Sequence, residues 1–318
     1  MIKVALGMDI GGTNSVFGLV DNAGNLLLED NISTPDYKTI EEFALAVYNK
    51  LESRKEEFEG KYQIVGFGIG APNANYYSGN IEYAMNLNWQ GIVPIKEVFE
   101  KQFNVKTIVT NDANAAAIGE MVYGNAKGMK DFIMITLGTG LGSGIVINGE
   151  LVYGHDGFAG ELGHITVNPN GRKCGCGRMG CLETYVSATG IKRTVYKLLA
   201  KYNNPSKLRD IPFNQLTAKM ITEAAMQDDT IAHEAFDYTA KILGAKLADA
   251  VAFSSPEAIF LFGGLANAGD YVFLPVKKYM EQFLLPIFRN KVKIIPSALQ
   301  KLNAAILGAS ALVWKEIE

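Results

Sequence analysis

Apolar residues fill most of positions 3–10, and Gly11-Gly12 then breaks the run. A run of this length ended by glycine reads as a buried strand and a turn. Apolar residues resume from Val16 to Val20, and Asp21-Asn22-Ala23-Gly24 closes the passage as a hairpin turn. The same order returns later in the chain. Phe132-Ile133-Met134-Ile135-Thr136 is a second strand, Gly138-Thr139-Gly140 a second turn, and Ile145 to Ile147 a second return before Asn148-Gly149. The two passages predict an internal repeat, and with it two similar α/β halves facing each other across a cleft. Between them, Ile40, Phe43, Val47 and Leu51 fall on one face at helical spacing. Gln63 to Ile69 and Lys106 to Thr110 read as strands, and 112–123 as an Ala-rich helix. Further helices are expected near 185–203 and 229–253, a short buried strand at Ala258 to Phe262, and a last helix from Ala304 to Trp314. Strands alternating with helices predict α/β layers.

The chain has 318 residues, 48% of them hydrophobic, which is enough for a sizeable core. Its net charge of −3 gives no reason to expect a polyanion-binding surface. The N-terminal residues lack a long apolar segment with a cleavage site, and no stretch approaches the roughly 20 apolar residues that span a bilayer. These features predict a soluble cytoplasmic protein, with no nucleic acid and no membrane among its partners.

The chain's three cysteines all lie within Cys174-Gly175-Cys176-Gly177-Arg178-Met179-Gly180-Cys181, ten residues after His164. Three thiolates and one imidazole are the ligand set of a closed tetrahedral zinc site. The clustering argues against a disulfide framework and fits a reducing compartment. Gly175, Gly177 and Gly180 also form a Gly-x-Gly-x-x-Gly pattern, but it interleaves with the cysteines and follows no strand, so a dinucleotide site is rejected. Glu161 and Glu183 flank the cluster, and fixed carboxylates there suit the hydroxyls of a sugar.

Asp9-Ile10-Gly11-Gly12-Thr13-Asn14 places a carboxylate at a strand end before an amide-exposing turn. Glycines there let backbone N–H groups approach phosphate oxygens, and Asp9 suits a hydrated Mg²⁺. Thr136-Leu137-Gly138-Thr139-Gly140-Leu141-Gly142-Ser143-Gly144 holds four glycines and three hydroxyls in nine residues. Close approach to a ligand explains this better than strand structure does. No Walker loop occurs. Asn111-Asp112 follows the apolar run Val105 to Val109. Asp112 there has two readings: a general base at a strand end, or an N-cap of the helix that follows. The local sequence favours the cap.

Together these residues resemble the ROK family of repressors, open reading frames and sugar kinases, over essentially the whole chain. Asp9-Ile10-Gly11-Gly12-Thr13 and Leu137-Gly138-Thr139-Gly140-Leu141-Gly142 match its two phosphate loops. Glu161-Leu162-Gly163-His164 and the segment from Cys174 to Glu183 match its signature and zinc element. Asn86-Leu87-Asn88-Trp89 matches a further motif, and Gly263-Gly264 resembles the turn that contacts adenosine. The resemblance implies an actin-like ATPase, ribonuclease H-like fold with two lobes around a nucleotide cleft. The expected small lobe is 1–115, completed by a C-terminal helix at 303–318; the large lobe is 116–302, with the zinc loop at 161–183.

The resemblance also implies roles. Asp112 would be the catalytic base. Asn86, Asn111, Glu161, His164 and Glu183 would hold the sugar. Asp9, Gly11, Gly12, Thr13, Asn14, Thr136, Gly138, Thr139, Gly140, Gly142, Gly263 and Gly264 would bind ATP with Mg²⁺. His164, Cys174, Cys176 and Cys181 would bind a structural zinc. The expected activity is ATP-dependent phosphorylation of the 6-hydroxyl of a hexose, glucose first, by a homodimer. N-acetylglucosamine, N-acetylmannosamine and fructose are the alternative substrates. A sugar-responsive regulator is the alternative of another class; it is disfavoured because the first phosphate-loop strand begins almost at Met1. One departure stands out: the family's Gly-Pro-Gly and later aspartate are replaced by Gly70-Ala71-Pro72-Asn73-Ala74-Asn75-Tyr76-Tyr77.

Overall fold

The computed structural model describes residues 1–301 and 304–317. The chain divides into two compact units. One holds Met1–Met129, Leu151–Ala159 and the described residues from Ala298 onward; the other holds Lys130–Glu150 and Gly160–Ser297.

In the first unit, β1 (Ile2–Ile10), β2 (Asn14–Asp21) and β3 (Leu26–Ser33) form an antiparallel meander. Helix α1 (Ile40–Glu52) follows, and it buries Ile40, Phe43, Val47 and Leu51, the face predicted from their spacing. Thr39 caps it by accepting from the Glu42 N–H at 3.2 Å. Next come β4 (Tyr62–Gly70), the small hairpin β5 (Ile81–Glu82) and β6 (Ile92–Val93), α2 (Ile95–Phe103), β7 (Thr107–Thr110) and α3 (Asp112–Tyr123). Strand order in the sheet is β3-β2-β1-β4-β7, with β4 parallel to both β1 and β7. The position-115 boundary expected between lobes falls inside α3, which stays whole in this unit through Met129.

A C-terminal helix, Ala304–Ile317, covers one face of this sheet. It can approach so closely because the strands meet it with glycine. A Cβ on Gly68 would lie 1.9 Å from the Ala309 carbonyl oxygen, and one on Gly7 would lie 2.2 Å from that of Ile306. The helix is built mostly of small and apolar residues, and Ile306, Leu307, Leu312 and Val313 are buried. The expected ends of this helix at 303 and 318 lie outside the described residues.

The second unit repeats the plan. β8 (Phe132–Leu137), β9 (Leu141–Ile147) and β10 (Glu150–Leu151) precede α4 (Ala188–Lys201), α5 (Ala218–Ala225) and α6 (Thr230–Ser254). β11 (Ala258–Phe262), α7 (Asp270–Phe283) and β12 (Lys293–Pro296) complete it. Its sheet runs β10-β9-β8-β11-β12, the order of the first sheet, with β8 and β9 antiparallel and β11 parallel to both neighbours. The repeat seen in the two glycine-broken hairpins therefore extends to a whole sheet topology. Among the described residues no helix is long and apolar enough to cross a membrane.

Candidate active site

In the first unit three parallel strands end level. Asp9 on β1 pairs with Gly70 on β4, and Gly70 pairs with Thr110 on β7. Asn111 and Asp112 follow at once. Gly70 has no side chain, so a Cβ there would sit 3.5 Å from Asp9 Oδ1 and 3.7 Å from Asp112 Cα. The two carboxylates are thus gathered at the C-terminal ends of the strands, where open α/β sheets bind ligands.

The two readings of Asn111-Asp112 divide between the residues. Asn111 is the N-cap: its Oδ1 accepts from the Asn114 N–H at 2.9 Å. Its Nδ2 keeps two donors for other partners. Asp112 is the first helical residue, and its Oδ1 accepts from its neighbour Ala113 N–H at 2.9 Å. Asp112 keeps solvent-accessible surface, yet protein crowds its carboxyl, and the loss of hydration raises its pKa. Burial first, and then repulsion from Asp112, push Asp9 up to about 7.

This pair makes the metal-free protein sensitive to pH. The folded-state pKa of Asp9 lies above its unfolded value, so the folded chain holds a proton that the unfolded chain releases. The contribution of Asp9 to stability is therefore greatest below the ordinary carboxylate value of 3.8 and is lost as pH rises through about 7. Asp9→Asn is expected to flatten that decline, and to stabilise the metal-free protein at pH 8 by on the order of 2–4 kcal/mol. Urea denaturation at pH 5 and pH 8 checks this; an equal pH dependence in both proteins would refute it.

The first glycine turn is braced from the same unit. The Gly11 N–H donates to the Asn14 carbonyl at 3.2 Å. A Cβ on Gly12 would lie 2.3 Å from the Asn86 carbonyl oxygen, so Asn86 stands directly against the loop. Thr13 and Asn14 remain exposed beyond it.

In the second unit the turn between β8 and β9 is closed by Thr136, whose Oγ1 accepts from the Gly142 N–H at 3.1 Å. Thr139 is exposed at its tip. Gly263, at φ +102°, packs against Leu137, and the Leu265 N–H donates to the Leu137 carbonyl at 3.1 Å. The Gly263-Gly264 turn and the second glycine loop thus form one surface. Gly140 meets another predicted site residue: Glu183 Oε2 lies 2.7 Å from where its Cβ would be.

His164, Cys174, Cys176 and Cys181 come together, with ligand atoms all within 4.8 Å of one another. Cys176 Sγ and Cys181 Sγ are 3.7 Å apart, as are Cys174 Sγ and His164 Nδ1. A tetrahedral zinc with ordinary Zn–S and Zn–N bonds requires edges of about 3.5–3.8 Å, so these two edges and the chemistry of the donors suit the ion. Burial, and then the Glu183 carboxylate that accepts from its Sγ at 2.8 Å, push the Cys174 thiol up. Burial, followed by the neighbouring Cys176, also raises Cys181. Thiols held protonated in this way become thiolates when a dication is bound. His164 turns its other nitrogen, Nε2, toward Glu161 Oε2 at 3.8 Å.

Arg172 escaped the sequence reading, which marked Asn75 only as part of a departure from the family pattern beside the expected sugar cleft. Arg172 fastens the cysteine loop to α4: Nη1 donates to the carbonyls of Thr184 (2.7 Å) and Gly190 (2.9 Å), Nη2 to Thr194 Oγ1 (2.9 Å), and the guanidinium lies 4.5 Å from the Tyr185 ring centre. An arginine between two glycine-rich segments gave no local signal of this. Asn75 is only 4% exposed, and its Nδ2 donates to the Asp156 carbonyl at 2.7 Å while its Oδ1 accepts from the Tyr77 and Ser78 N–H groups. The departure at Asn75-Tyr76-Tyr77 is therefore a tie to the 151–159 segment, where Tyr153 stacks on Tyr76 at 4.1 Å.

The profile of the ROK family matches residues 5–316. The chain belongs to the ROK family. A glucokinase of Halalkalibacterium halodurans is 36% identical over 98% of this chain and 95% of its own length. The transcriptional regulator NagC of Escherichia coli is 30% identical over 97% of this chain and 75% of its own length. Among solved structures, a ROK glucokinase from Streptomyces griseus, in complex with glucose and AMPPNP, superposes with a TM-score of 0.81 at 33% identity, covering 98% of this chain and 99% of that one. The fold is the actin-like ATPase fold of ROK sugar kinases, which the repeated sheet order already indicated.

Proposed function

We propose that this ROK protein is an ATP-dependent, hexokinase-type kinase that phosphorylates the 6-hydroxyl of glucose. The observation that carries the reading is the pairing of Asp9 and Asp112 at level strand ends, beside the glycine turn. In this reading Asp112 accepts the proton of the attacking hydroxyl, and its raised pKa makes it a stronger base than an exposed carboxylate. Asn111, freed at Nδ2, and Asn86 donate to sugar hydroxyls; Glu161, His164 and Glu183 orient the ring. Amides of Gly11, Gly12 and Thr13, with the Asn14 side chain, and those of Gly138, Thr139, Gly140 and Gly142, with Thr136, receive phosphate oxygens. Gly263 and Gly264 face the adenosine. Asp9 would hold Mg²⁺ through water, and the ion would neutralise charge on the transferring phosphoryl group. His164, Cys174, Cys176 and Cys181 would hold zinc with four protein donors, a ligand set that suits a structural role.

The likeness to glucokinases supports glucose as substrate. The likeness to NagC supports a second reading, a sugar-responsive regulator. A coupled ADP-release assay over hexoses and N-acetylhexosamines separates the two. The expected result is turnover with glucose at the highest kcat/KM. Sugar binding without ADP release on any member of the panel would overturn the kinase reading.

A further inference from the structure

Ser143 lies inside the second glycine-rich segment, where its hydroxyl counts among the groups suited to phosphate. The structure turns it elsewhere. Ser143 is 3% exposed, and its Oγ donates to the carbonyl of Gly160 and accepts from the Leu162 N–H at 3.2 Å. Those are the two residues on either side of Glu161.

The backbone between them has a definite form. The Leu162 N–H also donates to the Gly160 carbonyl at 2.8 Å, and Glu161 sits at φ −76°, ψ 51°. An i to i+2 hydrogen bond around a residue with these angles is an inverse γ-turn. Glu161 is its apex, and Ser143 bridges both ends. The fit is close, since a Cβ on Gly160 would come within 3.0 Å of the Ser143 carbonyl oxygen, and Gly160 itself is at φ +95°. Two residues earlier on the same strand, the Leu141 carbonyl oxygen lies 2.1 Å from where a Cβ on Gly163 would be. Carbonyls of alternate strand residues point the same way, so the Leu141–Ser143 stretch of β9 braces the whole segment from Gly160 to Gly163.

We propose that Ser143 is a positioning residue: it fastens the γ-turn at Glu161 to strand β9 and so fixes where that carboxylate meets the sugar. The inference rests on the reading that Glu161 grips the sugar. A hydroxyl can satisfy both ends of the turn at once because it combines one donor with acceptor capacity. Alanine at 143 would leave the γ-turn its internal bond, so the segment would still form but would lose its tie to the strand. The consequence is a loosened carboxylate rather than an unfolded loop.

The test is a double-mutant cycle on the full-length, metal-replete protein, with glucose and ATP titrated separately. Ser143→Ala is expected to raise the KM for glucose about 5–10-fold, with the KM for ATP and kcat changed less than about twofold, on the scale of one lost buried hydrogen bond. Ser143→Thr, which keeps the hydroxyl, is expected to restore most of the loss. If the added methyl group prevents folding, the cycle with Glu161→Gln decides instead. In the Glu161→Gln background, Ser143→Ala should add little, because its effect passes through that carboxylate. Additive losses, or an unchanged glucose KM in Ser143→Ala where Glu161→Gln raises it, would overturn the positioning role alone. An unchanged glucose KM in Glu161→Gln would overturn the sugar-contact reading and the inference with it.

Discussion

Asp112→Asn is expected to lower kcat by about 10²–10⁴-fold, the range associated with removing a positioned general base. The substitution is nearly isosteric, and the cap of α3 belongs to Asn111, whose Oδ1 holds the Asn114 N–H. The helix should therefore keep its start. Replacing the crowded carboxylate with an amide also removes the repulsion that helps raise Asp9. Stability at neutral pH should rise while turnover collapses, and glucose affinity should stay within a few-fold. Steady-state kinetics, glucose titration by intrinsic fluorescence and thermal melting check the three parts. Turnover within tenfold of the parent protein would remove Asp112 from the role of base.

Loss of the metal should have the other large effect. The purified protein is expected to carry about one zinc per chain, bound by His164, Cys174, Cys176 and Cys181. Cys181→Ser is expected to release it and to lower kcat/KM for glucose by at least about 10–100-fold, the scale seen when the support of a metal site is disturbed. Cys181 is fully buried and Cys174 nearly so, so no solvent-exposed arrangement replaces them. Arg172 should keep the loop tethered to α4, and the unit should stay folded although the ligand side chains lose their order. Elemental analysis and limited proteolysis within 166–182 test this. A metal-free protein with parental glucose kinetics would refute it.

Some of this architecture was legible because the signals were local. The turns at Gly11-Gly12 and Gly138-Thr139-Gly140 interrupt apolar runs abruptly, and both hairpins stand where expected. α1 announced itself by spacing, and α3 starts at the Asn-Asp pair that suits a helix N-terminus. β3 was missed because its buried residues, Leu28 and Ile32, are separated by Glu29, Asp30 and Asn31, which conceals the strand. α7 contains Pro275, whose missing N–H normally argues against a helix interior. The site divides in the same way. Cysteine spacing exposes the ligand cluster, since all its donors but one lie within eight residues. The long-range partners of Ser143, Arg172 and Asn75 lie 12 to 81 residues away, and most of them are backbone atoms. A backbone acceptor leaves no mark on residue identity, so pattern reading had nothing to detect.

The glycines of β1 and β4 that admit the C-terminal helix tie the first unit to the timetable of translation. Its strands are all synthesised by residue 110, but the helix that covers them is made only after residues 160–297. The second unit can close around its own core while the first still presents an uncovered sheet to the surroundings. Ribosomes that stop anywhere between these points release a product with one finished unit and one exposed hydrophobic face, a form prone to aggregation and open to chaperones. Residues 304–317 are thus the last described element of the first unit to be synthesised.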